Sequence, residues 1–171
     1  MIFLQKKTLI LIGLLSDTHS FLHPQIFNFF EPCQEIWHAG DIGNITVADE
    51  LNKFKPLKAV YGNIDGADVK AVYPLHKKFY CENVTVWITH IGGYPGNYDS
   101  NIRSKIIANP PRLFISGHSH ILKVINDKKL GLLHINPGAA GKYGFHKVIT
   151  LVRFKIDNQR IFDLEIMELN K

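Results

Sequence analysis

Cysteine is scarce in this sequence. Only Cys33 and Cys81 occur among 171 residues, far apart and with no Cys-x-x-Cys pair. That spacing excludes a disulfide framework and leaves two ordinary half-buried thiols, as expected in a reducing compartment. Long apolar runs are missing too. The longest covers residues 8–15, far short of the roughly 20 residues that a membrane-spanning helix needs. Lys6 and Lys7 precede this run as they would in a signal peptide, but it ends in Ser16-Asp17-Thr18-His19. A small-residue cleavage site is not there, so the expected location is the cytoplasm with no membrane partner. Blocks of like charge, repeats and low-complexity segments are also lacking. The densest basic cluster is Lys77-Lys78, followed by Lys128-Lys129, and the net charge is +5. Lysines scattered in this way describe a solvated surface, which argues against a nucleic-acid partner.

What is present suits one globular domain spanning residues 1–171. The hydrophobic fraction is 46% and the charged fraction 20%, both ordinary for a folded soluble chain. Residues 8–15 are apolar on both faces, as in a central parallel strand. Residues 24–30 place Ile26, Phe29 and Phe30 at helical spacing, and Pro24 suits a first helical turn. Residues 35–38 form a short strand. Thr46-x-x-Asp49 signals a helix start ahead of Val47, Leu51 and Phe54. Further strands are expected at 57–61, 79–81, 84–89 and 113–116, with a helix from Ser100 to the Pro110-Pro111 stop.

The last third changes period. Residues 122–125 and 130–135 flank Asn126-Asp127 as a hairpin. Residues 146–156 put Val148, Thr150, Val152, Phe154 and Ile156 on one face, and residues 160–169 put Phe162, Leu164 and Ile166 on another. A βαβ half joined to a hairpin half without a linker predicts an α/β protein, a four-layer α/β/β/α sandwich of two mixed sheets flanked by helices.

Nine histidines in so short a chain are the compositional oddity. Each early strand runs apolar and then stops in metal-ligand residue types. The stops are Asp17 with His19, Gly40-Asp41, Gly62-Asn63-Ile64-Asp65, His90, and Gly117-His118-Ser119-His120. Ligand sites in open α/β sheets lie beyond the carboxyl ends of the strands. Five loops would therefore bring Asp17, His19, Asp41, Asn63, His90, His118 and His120 to one crevice. Seven nitrogen and oxygen donors crowd one cation but suit two divalent metal ions sharing a carboxylate, with manganese, zinc or iron favoured over soft metals or calcium. Asp65 and His38 are expected just behind the ligands, orienting them. His23 and His76 are expected on the surface.

These blocks resemble the calcineurin-like metallophosphoesterase superfamily, and the small size resembles its YfcE-type phosphodiesterase branch, which includes the retromer scaffold subunit. Asn136-Pro137-Gly138 matches a further block of that branch, where a loop closes near the site. The resemblance implies a two-sheet sandwich with two divalent ions, manganese first and zinc, iron or nickel as substitutes. Asp17, His19, Asp41 and His120 would hold the first ion, and Asn63, His90 and His118 the second. Asp41 would bridge, Asn63 would also face the substrate phosphate, and a bridging hydroxide would be the nucleophile. One position departs from many members: Ile64 stands where a histidine protonates the leaving group, and isoleucine cannot transfer a proton.

The function implied is phosphate-ester hydrolysis, with a phosphodiester favoured over a monoester and a small phosphate ester as partner. A homo-oligomer is compatible with all of this. Two alternatives share the fold: a non-catalytic protein-interaction scaffold and a nuclease. The filled ligand set speaks against the scaffold, and the absence of a basic stripe speaks against the nuclease.

Overall fold

The computed structural model describes residues 9–171. Lys6, Lys7 and Thr8, on which part of the N-terminal reading rests, lie outside them. Strand β1 (Ile10–Leu15) is buried along nearly its whole length. Leu11 and Leu15 point to one apolar layer and Ile12 and Leu14 to another, as the two-residue period of a strand requires. Helix α1 (Gln25–Phe30) follows, then β2 (Glu35–His38), α2 (Ile45–Phe54), β3 (Leu57–Ala59) and α3 (Ala67–Val72). The strands β1, β2 and β3 are parallel neighbours.

The chain then crosses to a second sheet through β4 (His76–Cys81) and β5 (Val84–Thr89). A small ribbon, β6 (Gly93–Tyr94) with β7 (Asn97–Tyr98), leads into α4 (Ser100–Ala108) and β8 (Leu113–Ile115). The hairpin β9 (Leu122–Asp127) and β10 (Leu132–Pro137) completes this sheet, ordered β4-β5-β8-β10-β9. The long strands β11 (Val148–Asp157) and β12 (Arg160–Asn170) return to the first sheet, ordered β12-β11-β1-β2-β3.

Three apolar layers hold the sandwich together. Phe30, Leu51 and Val69 pack the first sheet against α1, α2 and α3. Trp37, Val86, Ile88, Ile115 and Phe154 fill the space between the sheets. Trp87 and Phe114 meet Ile102 and Ile106 of α4 on the outer face of the second sheet. This is the expected α/β/β/α sandwich. Among the described residues no helix is long and apolar enough to cross a membrane.

Several local expectations are corrected. The cap of α2 is Asn44, whose side chain accepts from the Thr46 N–H, so the helix starts ahead of Thr46. Asp99 rather than Ser100 caps α4, accepting from the Asn101 N–H. Asn126-Asp127 is the end of β9 and not the turn. The Asp127 carboxylate accepts from the Lys129 and Leu130 N–H groups, so the reversal falls after it. A bulge faces Arg153 to Lys155, with Asp163 at φ 49°. It shifts the phase of β12, so Ile161 and Leu164 reach the inter-sheet layer while Met167 and Leu169 reach the helix side. The single face of Phe162, Leu164 and Ile166 does not form. Cys33 and Cys81 are free and fully buried rather than half-buried, and burial pushes both thiols up to about 11. His76 is half-buried, hydrogen-bonded to Thr89 and edge-on to Trp87, so it is no free surface residue.

Candidate metal centre

The carboxyl ends of β1, β2, β3, β5 and β8 meet over the inter-sheet layer, and backbone hydrogen bonds stitch their loops together. Asp17 N–H donates to Gly40 O at 2.9 Å and His19 N–H to Asp41 O at 3.0 Å, tying the first loop to the second. Gly117 N–H donates to His90 O at 2.9 Å in the other sheet. The sheets are joined through a side chain: Asp17 Oδ2 accepts from His118 N–H at 3.1 Å.

This stitching holds the backbone in unusual shapes. Asp17, His19, Asp41, His118 and His120 all have positive φ, between 46° and 68°. Such conformations cost about 1–3 kcal/mol each and persist where the surroundings over-determine them. Five of the seven expected ligand residues carry this strain. Two glycines make room. Gly40 sits at φ 95° against the His90 ring, and a methyl at Gly62 would land on the Asp41 carboxylate.

All seven residues converge. Ligand atoms of Asp17, His19 and His120 lie within 4.8 Å of one another, and so do those of Asp41, His90 and His118. Asp41 stands between the groups: Oδ1 is 3.2 Å from His90 Nε2 and Oδ2 is 3.6 Å from His19 Nε2. Asp17 Oδ1 is 3.2 Å from His120 Nε2 and 3.9 Å from His90 Nε2. Asn63 Oδ1 lies 3.1 Å from His90 Nε2.

The electrostatics follow from this crowding. Burial opposes ionisation of Asp41, but the His90 hydrogen bond and charge, with the Ile64 N–H, hold its carboxyl below its ordinary range. Burial likewise opposes charging of His90, and its contacts with Asp41, Asp17 and Ala39 O outweigh it, so His90 is raised. At His19 burial wins over the attraction of Asp41 and Asp17, and its value is lowered.

The donor set fits cations. His90 Nδ1 lies 2.8 Å from Ala39 O, which places the ring proton there and turns the Nε2 lone pair toward two further acceptors, Asp41 Oδ1 and Asn63 Oδ1. A second proton or a cation must reconcile them. Asp17 Oδ1 and His19 Nε2 are buried with no hydrogen-bond partner among the described residues, a costly state unless an ion is present. The donors are nitrogen and oxygen only, suited to manganese, iron or zinc.

The supporting residues have specific tasks. His38 is fully buried, with Nε2 2.9 Å from Thr18 Oγ1 and Nδ1 accepting from Gly40 N–H, and burial pushes it down to about 3. Asp65 touches no ligand side chain. It accepts from Gly43 N–H and Gly62 N–H, each at 2.7 Å, and so clamps the Asp41 loop to the Asn63 loop. Asn136 donates to Gly117 O and Ser119 Oγ, holding the His118–His120 turn. Two further rings reach the site from the glycine-rich stretch of residues 138–146. Tyr143 lies over His19 with ring centroids 5.1 Å apart, and His146 meets His120 edge-on at 5.2 Å. Their loop is brought home by Ala140 N–H and Gly141 N–H donating to Ser16 O and Asp17 O. His23 accepts from Gln25 N–H outside the cluster.

Two mixed sheets with paired aspartate–histidine groups between their carboxyl ends define a class, the α/β/β/α metal-dependent phosphoesterases. The chain belongs to the calcineurin-like phosphoesterase superfamily, whose domain model matches residues 10–159. A probable metallophosphoesterase of Methanothermobacter thermautotrophicus is 30% identical over 139 residues, covering 75% of this chain and 76% of that protein. Among solved structures, an archaeal phosphodiesterase superposes with TM-score 0.70 at 22% identity, over 94% of this chain and 100% of the other. Vps29 of Entamoeba histolytica, complexed with zinc, superposes with TM-score 0.69 at 16% identity, over 94% and 99%. These neighbours agree with the small YfcE-type branch of the superfamily.

Proposed function

We propose that this protein hydrolyses phosphodiesters of small substrates in the cytoplasm, with two divalent ions, manganese foremost, held by the seven converging side chains. The observation that carries the reading is the position of Asp41, with one carboxylate oxygen facing each half of the cluster. Two ions, when bound, supply positive charge that binds the phosphate, and they lower the pKa of a coordinated water toward neutrality. The residues prepare the place. Asp17, His19 and His120 would hold one ion, and His90, His118 and Asn63 the other, with Asp41 common to both. The Ile64 N–H orients Asp41, and the Ala39 carbonyl fixes the His90 tautomer. Asn63 would also face the substrate phosphate. Water adds to phosphorus, the P–O ester bond breaks, and its proton ends on the departing alcohol. Ile64 is 45% exposed at the site and contributes no proton, so good leaving groups should be favoured.

A second reading, a protein-interaction scaffold, is favoured by the resemblance to Vps29 and by an apolar rim of Ile121, Tyr143 and Phe145, exposed by 56%, 72% and 106%. The two separate on one assay: chelated protein, reloaded with manganese, is given bis(p-nitrophenyl) phosphate. Hydrolysis that needs metal and falls by about 10³-fold or more in Asp41→Ala, roughly 4 kcal/mol of barrier, is the expected result. Full turnover in His118→Ala, or an intact protein that binds no metal tightly, would overturn the enzymatic reading.

A further inference from the structure

A cleft of about 870 Å³ opens beside the metal centre, with His118 and Ser119 in its lining. Its walls come from the β6–β7 ribbon, α4 and β9. A phosphate needs far less room, whereas clefts of roughly 300–1,000 Å³ hold whole organic ligands. Two cations line it, Arg103 and Lys123, and neither has an ion-pair partner among the described residues. The wall's one carboxylate, Asp99, is turned onto the start of α4, accepting from Asn101 N and Nδ2. Lys123 is half-buried and seated 3.5 Å from the Tyr94 ring centroid, which fixes its position.

We propose that this cleft seats one ester arm of the substrate and that this arm carries a second phosphate, gripped by Arg103 and Lys123. The claim rests on the phosphodiesterase reading and names its substrate class: a diester with a nucleotide-like, doubly anionic architecture. His134 lies fully buried behind the same wall, where it holds Ser116 in place. Ser116 Oγ donates to Gly93 O at 3.2 Å, so His134 Nε2–H donates to Ser116 Oγ at 3.0 Å. His134 Nδ1 is left as a buried acceptor without a partner among the described residues, in the same cleft wall. Burial, and secondarily the Lys123 charge, push this ring down to about 4, so it stays neutral.

The test compares two chromogenic substrates, thymidine 5′-(p-nitrophenyl phosphate) with and without a 3′-phosphate, on the manganese-loaded protein. The expected kcat/KM ratio is about tenfold or more in favour of the 3′-phosphorylated form, collapsing toward unity in Arg103→Ala/Lys123→Ala. In parallel, calorimetry on the metal-free protein compares thymidine 3′,5′-bisphosphate with thymidine 5′-monophosphate, and the double variant is to lose the difference. Equal ratios in the unmodified protein, or a preference that survives the double substitution, would sink the proposal. Should no diester turn over with any metal, the phosphodiesterase reading fails, and the calorimetry still decides whether the cleft seats the second anion.

Discussion

The two halves of the metal centre are built to different standards. In the group of Asp41, His90 and His118, the His90 ring is pinned by the Ala39 carbonyl and Asp41 by the Ile64 N–H. Both residues are almost fully buried, while the third member, His118, is exposed. In the group of Asp17, His19 and His120, both histidines are partly exposed and lean on aromatic neighbours, Tyr143 and His146. Two of the three side chains in the first group are thus oriented by directional hydrogen bonds inside the sandwich, whereas in the second only Asp17 is, through the His118 N–H. The second group depends on a loop, residues 141–147, that closes over it late in the chain. Hydrogen bonds from a buried carbonyl fix angle as well as distance, while ring contacts fix a surface but leave rotation. The difference predicts a tight ion in the first group and an exchangeable one in the second.

The strongest blow to this contrast is struck at the residue both halves share. Asp41→Asn should cost about 10³-fold in turnover and reduce bound manganese, measured by elemental analysis, at both positions together. Loss of only one ion would show that Asp41 does not join the halves. Gly62→Ala comes next. The added methyl meets the Asp41 carboxylate, so urea unfolding should show about 1–3 kcal/mol of destabilisation with impaired metal binding. His146→Ala should weaken one ion about tenfold and leave the other, read by metal titration. Equal weakening of both would erase the distinction.

Acid tests a different part of the frame. Burial holds His134 neutral, with its value near 4, against about 6.5 in the unfolded chain. The unfolded state therefore takes the proton first as pH falls. Stability tied to His134 is complete above about pH 6.5 and shrinks toward pH 4, by an amount on the order of 3 kcal/mol. Urea unfolding at the two ends of that window measures it, and a flat profile would refute neutrality. The smallest effect is expected at the exposed Lys155–Asp163 pair, 2.9 Å apart on the β11–β12 ribbon. Lys155→Ala should change stability by no more than about 0.5 kcal/mol.

The strand ends were legible because burial on both faces writes an unbroken apolar run, and a polar Asp or His interrupting that run has no packing role. Other features left no such mark. Helix α3 buries only Val69, too little for a helical period, and the β6–β7 ribbon has two residues per strand, below the length at which alternation can be counted. Asp65 was placed behind the ligands by its nearness in sequence to Asn63, but its partners, Gly43 and Gly62 N–H, are backbone groups that no side-chain pattern reports. The glycine-rich stretch ahead of His146 leaves its path open in the sequence, and the hydrogen bonds of Ala140 and Gly141 to Ser16 and Asp17 bring Tyr143 and His146 to the site.

By itself the amino-acid order settled the four-layer architecture, the five loops that bear donors, and the chemical type of those donors, because periodicity and side-chain chemistry are local properties. The tertiary structure alone decided which oxygen of Asp41 faces which histidine, which ring nitrogen of His90 is spoken for, and where β12 slips phase at Asp163. Those depend on distances between residues remote in the chain, and such distances exist only once both sheets have closed on their common core.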